Sequence, residues 1–111
     1  MPIDDRVRLR HILDAAQQAV AFVQGRSRTE LEKDPMLNLA LVRLLEIIGE
    51  AARALSPECC VSYPDVPWKK VCGMRDRLIH GYFDVNLDVV WETITHDLPS
   101  MIAALQKQQA P

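Results

Sequence analysis

Apolar residues recur along most of the chain at three- and four-residue intervals, the spacing that gathers them on one face of an α-helix. Val7, Leu9, Ile12, Leu13, Ala16, Ala19, Val20 and Val23 follow it. They predict a first helix, capped by Asp4 or Asp5 and running to about Gly25. Glycine suits the left-handed position just past a last turn, and Gly25-Arg26-Ser27-Arg28 reads as a polar connector. Thr29 with Glu32 has the spacing of a capping box, which predicts a short turn through Lys33. Asp34-Pro35 is a stronger start. Asp supplies the cap oxygen, and Pro fills the first helical position, where its missing N–H is not needed. A long central helix then runs to Leu55. Met36, Leu37, Ala40, Leu41, Leu44, Leu45, Ile47, Ile48, Ala51, Ala52 and Leu55 cover more than half of its circumference. A helix that apolar is expected to be buried on two sides, by the core and by a partner chain.

Within this helix Gly49 carries a helix-interior cost of ~1 kcal/mol against Ala, which a close approach by another helix would explain. Glu50 beside it is either a solvated position or a carboxylate aimed into a functional groove. Ser56-Pro57 closes the helix. The connector over 57–67 holds Pro57, Pro64 and Pro67, with one helical turn expected around Glu58 to Val61. Pro67 opens a fourth helix, ended by Gly81, with Trp68, Val71, Cys72, Met74, Leu78 and Ile79 on its apolar side. Asn86 caps a last helix from Leu87, striped by Val89, Val90, Ile94, Leu98, Met101, Ile102 and Leu105. Pro99 inside that pattern predicts a kink or break near Asp97 and Leu98. The pattern contains no strand.

A chain of 111 residues fits a single domain spanning 1–111, able to bury roughly two-thirds of its unfolded surface. Aromatic residues are only 5% of the total, which favours helix packed on helix over an aromatic-rich sandwich. The formal net charge of −2 makes the chain as a whole unattractive to nucleic acid. Any such contact needs a local basic patch, or one assembled from two chains. Cys59, Cys60 and Cys72 are an odd number with a vicinal pair, neither a disulfide framework nor a zinc knuckle. They read as reduced thiols. No apolar run approaches the ~20 residues of a membrane span and no leader is evident, so a cytoplasmic protein is expected.

Three familiar chemistries are disfavoured. His11, His80 and His96 form no i, i+4 pair and no His-Glu-x-x-His, so no metal site is expected. Cys72 falls on the apolar side of its helix and reads as packing. Four glycines and no Gly-rich loop exclude a self-contained nucleotide cradle, and no cofactor is expected. What remains is Arg75-Asp76-Arg77-Leu78-Ile79-His80-Gly81-Tyr82, in the most basic part of the chain, with Lys69 and Lys70 nearby. Five helical positions turn about 140° at about 100° per residue, so Arg75 and His80 would flank a surface rather than stack. Asp76 and His80 are an i, i+4 pair, and a carboxylate there would orient the imidazole and favour its charged form. The last turn of a helix would push it the same way. A proton-exchanging histidine beside a permanent cation suits metal-independent cleavage of an RNA phosphodiester. On composition and spacing alone, an exposed salt-bridge array closing a helix accounts for the same residues.

Arg75-Asp76-x-x-x-His80-x-Tyr82 resembles the Arg-x4-His-x-Tyr motif of the HepT-like toxins, a branch of the HEPN superfamily. Arg8 to Ala15, Ile48-Gly49-Glu50-Ala51-Ala52, Val66-Pro67-Trp68, Gly73-Met74 and Val89-Val90-Trp91 resemble that family's pattern in the same order. The resemblance implies an all-α HEPN-type bundle of four to five main helices that forms a homodimer, with two motifs facing one cleft. It implies an endoribonuclease toxin in which Arg75 and His80 act on RNA and Asp76 supports them. Lys69, Lys70 and Arg77 would line the RNA path. Tyr82 matches the tyrosine that an MNT-type nucleotidyltransferase antitoxin modifies with AMP. The rival readings are a non-catalytic helical dimer that docks such a nucleotidyltransferase, and a sensor of a nucleotide or small anion.

Overall fold

The computed structural model describes the backbone of residues 4–80 and 84–109 and the side chains of residues 4–77 and 84–107. Its helices are α1 (Asp5–Phe22), α2 (Glu30–Lys33), α3 (Pro35–Arg53), α4 (Pro57–Ser62), α5 (Trp68–Cys72), α6 (Met74–Leu78), α7 (Leu87–Glu92) and α8 (Leu98–Gln109), with a π-helical turn over Thr93–Asp97. A two-residue antiparallel ladder, β1 (Ile79–His80) with β2 (Asp84–Val85), is the one departure from an all-α bundle among the described residues.

Local chemistry places most of these boundaries. Asp4 caps α1 by accepting from the backbone N–H of Arg6 at 2.8 Å. That bond, and a second from the Arg6 guanidinium, hold the Asp4 carboxyl below the usual carboxylate range. The cap's contribution is therefore full above the ordinary carboxylate pKa and is lost as pH falls through the lowered value. Gly25 takes a φ of 72°, the left-handed turn expected after α1. Asp34 accepts from Leu37 N–H at 3.1 Å with Pro35 at the start of α3, and Asn86 accepts from Val89 N–H at 3.2 Å to begin α7. The expected capping box at Thr29 and Glu32 does not form. Thr29 makes no side-chain cap bond, and its hydroxyl lies 3.0 Å from that of Ser27 instead.

The chief helix pair is α1 on α3, and α3 also meets α5 and α6 while α8 closes on α1. Ile12, Ala16, Leu41, Leu45, Ile48, Ile94, Leu98 and Leu105 are wholly buried between them. Pro99 has no N–H to give to the Thr95 carbonyl, and its ring needs room there. The chain widens into the π-helical turn just before it, and the Thr95 hydroxyl donates to Trp91 O at 2.7 Å. The disturbance expected near Asp97 and Leu98 takes the form of a π turn.

The predicted fourth helix is two short helices. They meet at Gly73 and stop at Leu78, three residues before Gly81. Trp68 anchors the first piece by donating from its indole N–H to Cys60 O at 3.0 Å and Tyr63 O at 3.1 Å. Gly49 lies under the junction. A Cβ there would sit 3.6 Å from Val71 O and 3.9 Å from Cys72 O, ordinary contact distances. Gly49→Ala is therefore expected to leave stability unchanged or raise it by less than about 1 kcal/mol. Gly49→Leu should lower the melting temperature by forcing α5 and α6 off α3. A thermal melt of the two variants checks this pair.

Candidate active site

Arg75 and Asp76 fall in the first turn of α6, and α3 reaches both. Arg75 Nε donates to Glu46 Oε2 at 3.2 Å. The Arg75 side chain is 52% exposed, and that of Glu46 is 22% exposed. Asp76 faces Arg53, whose Nη2 lies 3.3 Å from Asp76 Oδ2 while its Nε donates to Cys72 O at 2.9 Å. Glu46, Gly49 and Arg53 recur at i, i+3 and i+7 on α3 and so share one face. That face grips consecutive residues of the motif, and Gly49 lies against the α5–α6 backbone between the grips.

His80 is not in the last turn of a helix. Its backbone belongs to β1 and pairs with Asp84, as Ile79 pairs with Val85. The expected helical i, i+4 relation between Asp76 and His80 therefore does not exist, and neither does the helix-terminal position invoked for the imidazole. The physical reason is non-local. The backbones of Ile79 and His80 pair with those of Val85 and Asp84, which stops the helical hydrogen-bond pattern at Leu78. The His80 side chain and all of Gly81 and Tyr82 lie outside the described residues.

The predicted basic residues Lys69, Lys70, Arg75 and Arg77 are all exposed. Lys70 pairs with Asp97 at 3.1 Å, tying α5 to the π turn. The Glu50 side chain is 61% exposed, 3.8 Å from Arg43, and it lines an open depression of about 330 Å³ with Arg8, His11 and Arg43. Among the described residues no cluster of three or more His, Cys, Asp or Glu is placed to hold a metal ion, and no helix is long and apolar enough to cross a membrane.

Cys59, Cys60 and Cys72 are free thiols. Burial is the main cause raising the Cys59 and Cys60 thiols above the usual range, with Asp5 and neighbouring sulfurs adding to it. Less thiolate is then present at a given pH. Both should react with iodoacetamide more slowly at pH 7 than a free thiol does. Their rates should climb only above the ordinary thiol pKa of about 8.5, as peptide mass spectrometry of the alkylated protein would record.

Sequence reasoning did not single out Glu46 or Arg53. Their partners lie 29 and 23 positions away, and the acidic residue at 46 stands alone in an apolar stripe.

The family model described as Ribonuclease HepT-like matches residues 12–108. A protein of Caldanaerobacter subterraneus subsp. tengcongensis, given the provisional name of RNase, is 46% identical over 93 residues, covering 84% of this chain and 83% of its own. A Methanocaldococcus jannaschii protein with the same kind of name is 34% identical over 104 residues, covering 94% and 86%. "Probable ribonuclease HepT" of Thermococcus cleftensis is 39% identical over 74 residues, covering 67% of each chain. No solved structure matches.

Proposed function

The chain belongs to the HepT-like ribonuclease family, with the all-α fold of the HEPN type, and from that premise we propose that it cleaves RNA internally, without a metal ion, at a site built on Arg75 and His80. The observation that carries this reading is the Arg75-x4-His80-x-Tyr82 motif, whose arginine is solvent-facing and tethered through one edge of its guanidinium. In the proposed reaction the RNA 2′-OH attacks the adjacent phosphorus and loses its proton to an imidazole. The 5′-oxygen leaves and takes up a proton, and the products are a 2′,3′-cyclic phosphate and a 5′-hydroxyl. Arg75 holds the charge that builds on the non-bridging oxygens. Asp76 supports the arginine's turn of helix, and Lys69, Lys70 and Arg77 carry the RNA backbone towards it.

The site is composite in this proposal. Two chains bring two motifs to one cleft, which also supplies the basic surface that one acidic chain lacks. The biological setting is a toxin–antitoxin pair whose MNT-type nucleotidyltransferase partner adds AMP to Tyr82. Negative charge and bulk there would oppose RNA entry. Co-expression with a neighbouring nucleotidyltransferase is expected to raise the intact mass by one or more AMP units, and Tyr82→Phe is expected to lose the gain. An unmodified wild-type protein that cuts RNA equally well with and without the partner contradicts the regulatory half.

A further inference from the structure

We infer that Glu46 is the positioning residue for Arg75, fixing one edge of its guanidinium so that the other edge meets the scissile phosphate. The inference rests on the reading of Arg75 as the phosphate-binding arginine. Glu46 Oε2 engages Nε at 3.2 Å, which leaves the two terminal amino groups, at the far edge of the planar guanidinium, for a second, bidentate acceptor. A tetrahedral phosphate offers two oxygens at the matching spacing.

Stability is a poor explanation for this pair. Arg75 is half exposed, and an ion pair in that setting is worth ~0–1 kcal/mol. A carboxylate beside a phosphate site is also unfavourable by itself, since like charges repel there. Its place is intelligible if it orders a long, rotamer-rich side chain before RNA arrives. The surrounding geometry agrees. Two turns along the same face of α3, Arg53 holds both Cys72 O and Asp76, and the α5–α6 backbone lies against Gly49 between the two grips. The first turn of α6 is therefore held at 75 and 76 from one rigid helix, and Glu46 is the member of that array that acts on the reacting cation.

The experiment compares Glu46→Ala, Glu46→Gln, Arg75→Ala and the double variant Glu46→Ala/Arg75→Ala. The probe is a fluorophore–quencher single-stranded RNA of mixed sequence. Glu46→Ala is expected to lower kcat by about ten- to a hundred-fold, with KM unchanged or lower because a negative charge has left the cleft. Glu46→Gln, which keeps an acceptor for Nε, is expected to retain more activity than Ala. The double variant should be no slower than Arg75→Ala, because a residue acting through Arg75 has nothing left to position. Additive losses would overturn the inference, as would a Glu46→Ala protein as fast as wild type beside an inactive Arg75→Ala. A fully active Arg75→Ala would instead remove the site reading on which the inference stands.

Discussion

Arg75→Ala is expected to slow RNA cleavage by about 10²–10³-fold, the usual consequence of removing one preorganised donor to a developing anion. His80→Ala is expected to slow it by about 10²–10⁴-fold, the range for losing a general acid or base. Both losses should occur in a folded protein. The Arg75 side chain is half exposed, and its pair with Glu46 lies at the surface, so melting should report a change within about 1 kcal/mol. That contrast separates chemistry from architecture. A salt-bridge array closing a helix would move stability a little and cleavage not at all. Single-turnover cleavage of RNA, set beside a circular-dichroism melt of each variant, gives both numbers.

Leu45→Ala is the opposite case. Leu45 is fully buried in α3, one residue before Glu46, in the cluster shared with Ile12, Ala16, Leu41 and Ile48. Removing its terminal carbons forfeits their transfer energy and leaves a cavity that neighbours fill only partly. The expected cost is about 2–5 kcal/mol, a fall of roughly 10 °C or more in melting temperature for a chain of this size. Total stability of a small domain is of order 5–15 kcal/mol, so this one change removes a large share of it. Since α3 also carries Glu46, Gly49 and Arg53, cleavage should fall with the folded fraction rather than ahead of it. Urea titration at 25 °C, with activity followed across the same range, tests that link.

The bundle was legible because its signals are local. Asp34-Pro35 and Asn86 mark the starts of α3 and α7, Gly25 takes the left-handed turn, and Pro99 marks the disturbed helix. Each acts through bonds to residues within four positions. The motif was legible as a string of residue types, but its geometry was not. Ile79 continues the apolar pattern of the helix before it, and a ladder of two residues per strand is too short to show a period of two. Helical periodicity therefore ran on through His80 when the chain had already left the helix. The grips of Glu46 and Arg53 were hidden for a different reason. Tertiary ion pairs between exposed and half-buried side chains leave no spacing rule in the sequence, and only the close packing over Gly49 hints that α3 and the motif meet.

The chemical identity of the cut ends tests the central claim most directly. RNA treated with the wild-type protein in EDTA should carry 2′,3′-cyclic phosphate and 5′-hydroxyl termini, and Arg75→Ala and His80→Ala should produce neither at a comparable rate. Ends bearing a 3′-hydroxyl and 5′-phosphate, or cleavage that stops in EDTA, or undiminished cleavage by both variants, would contradict it.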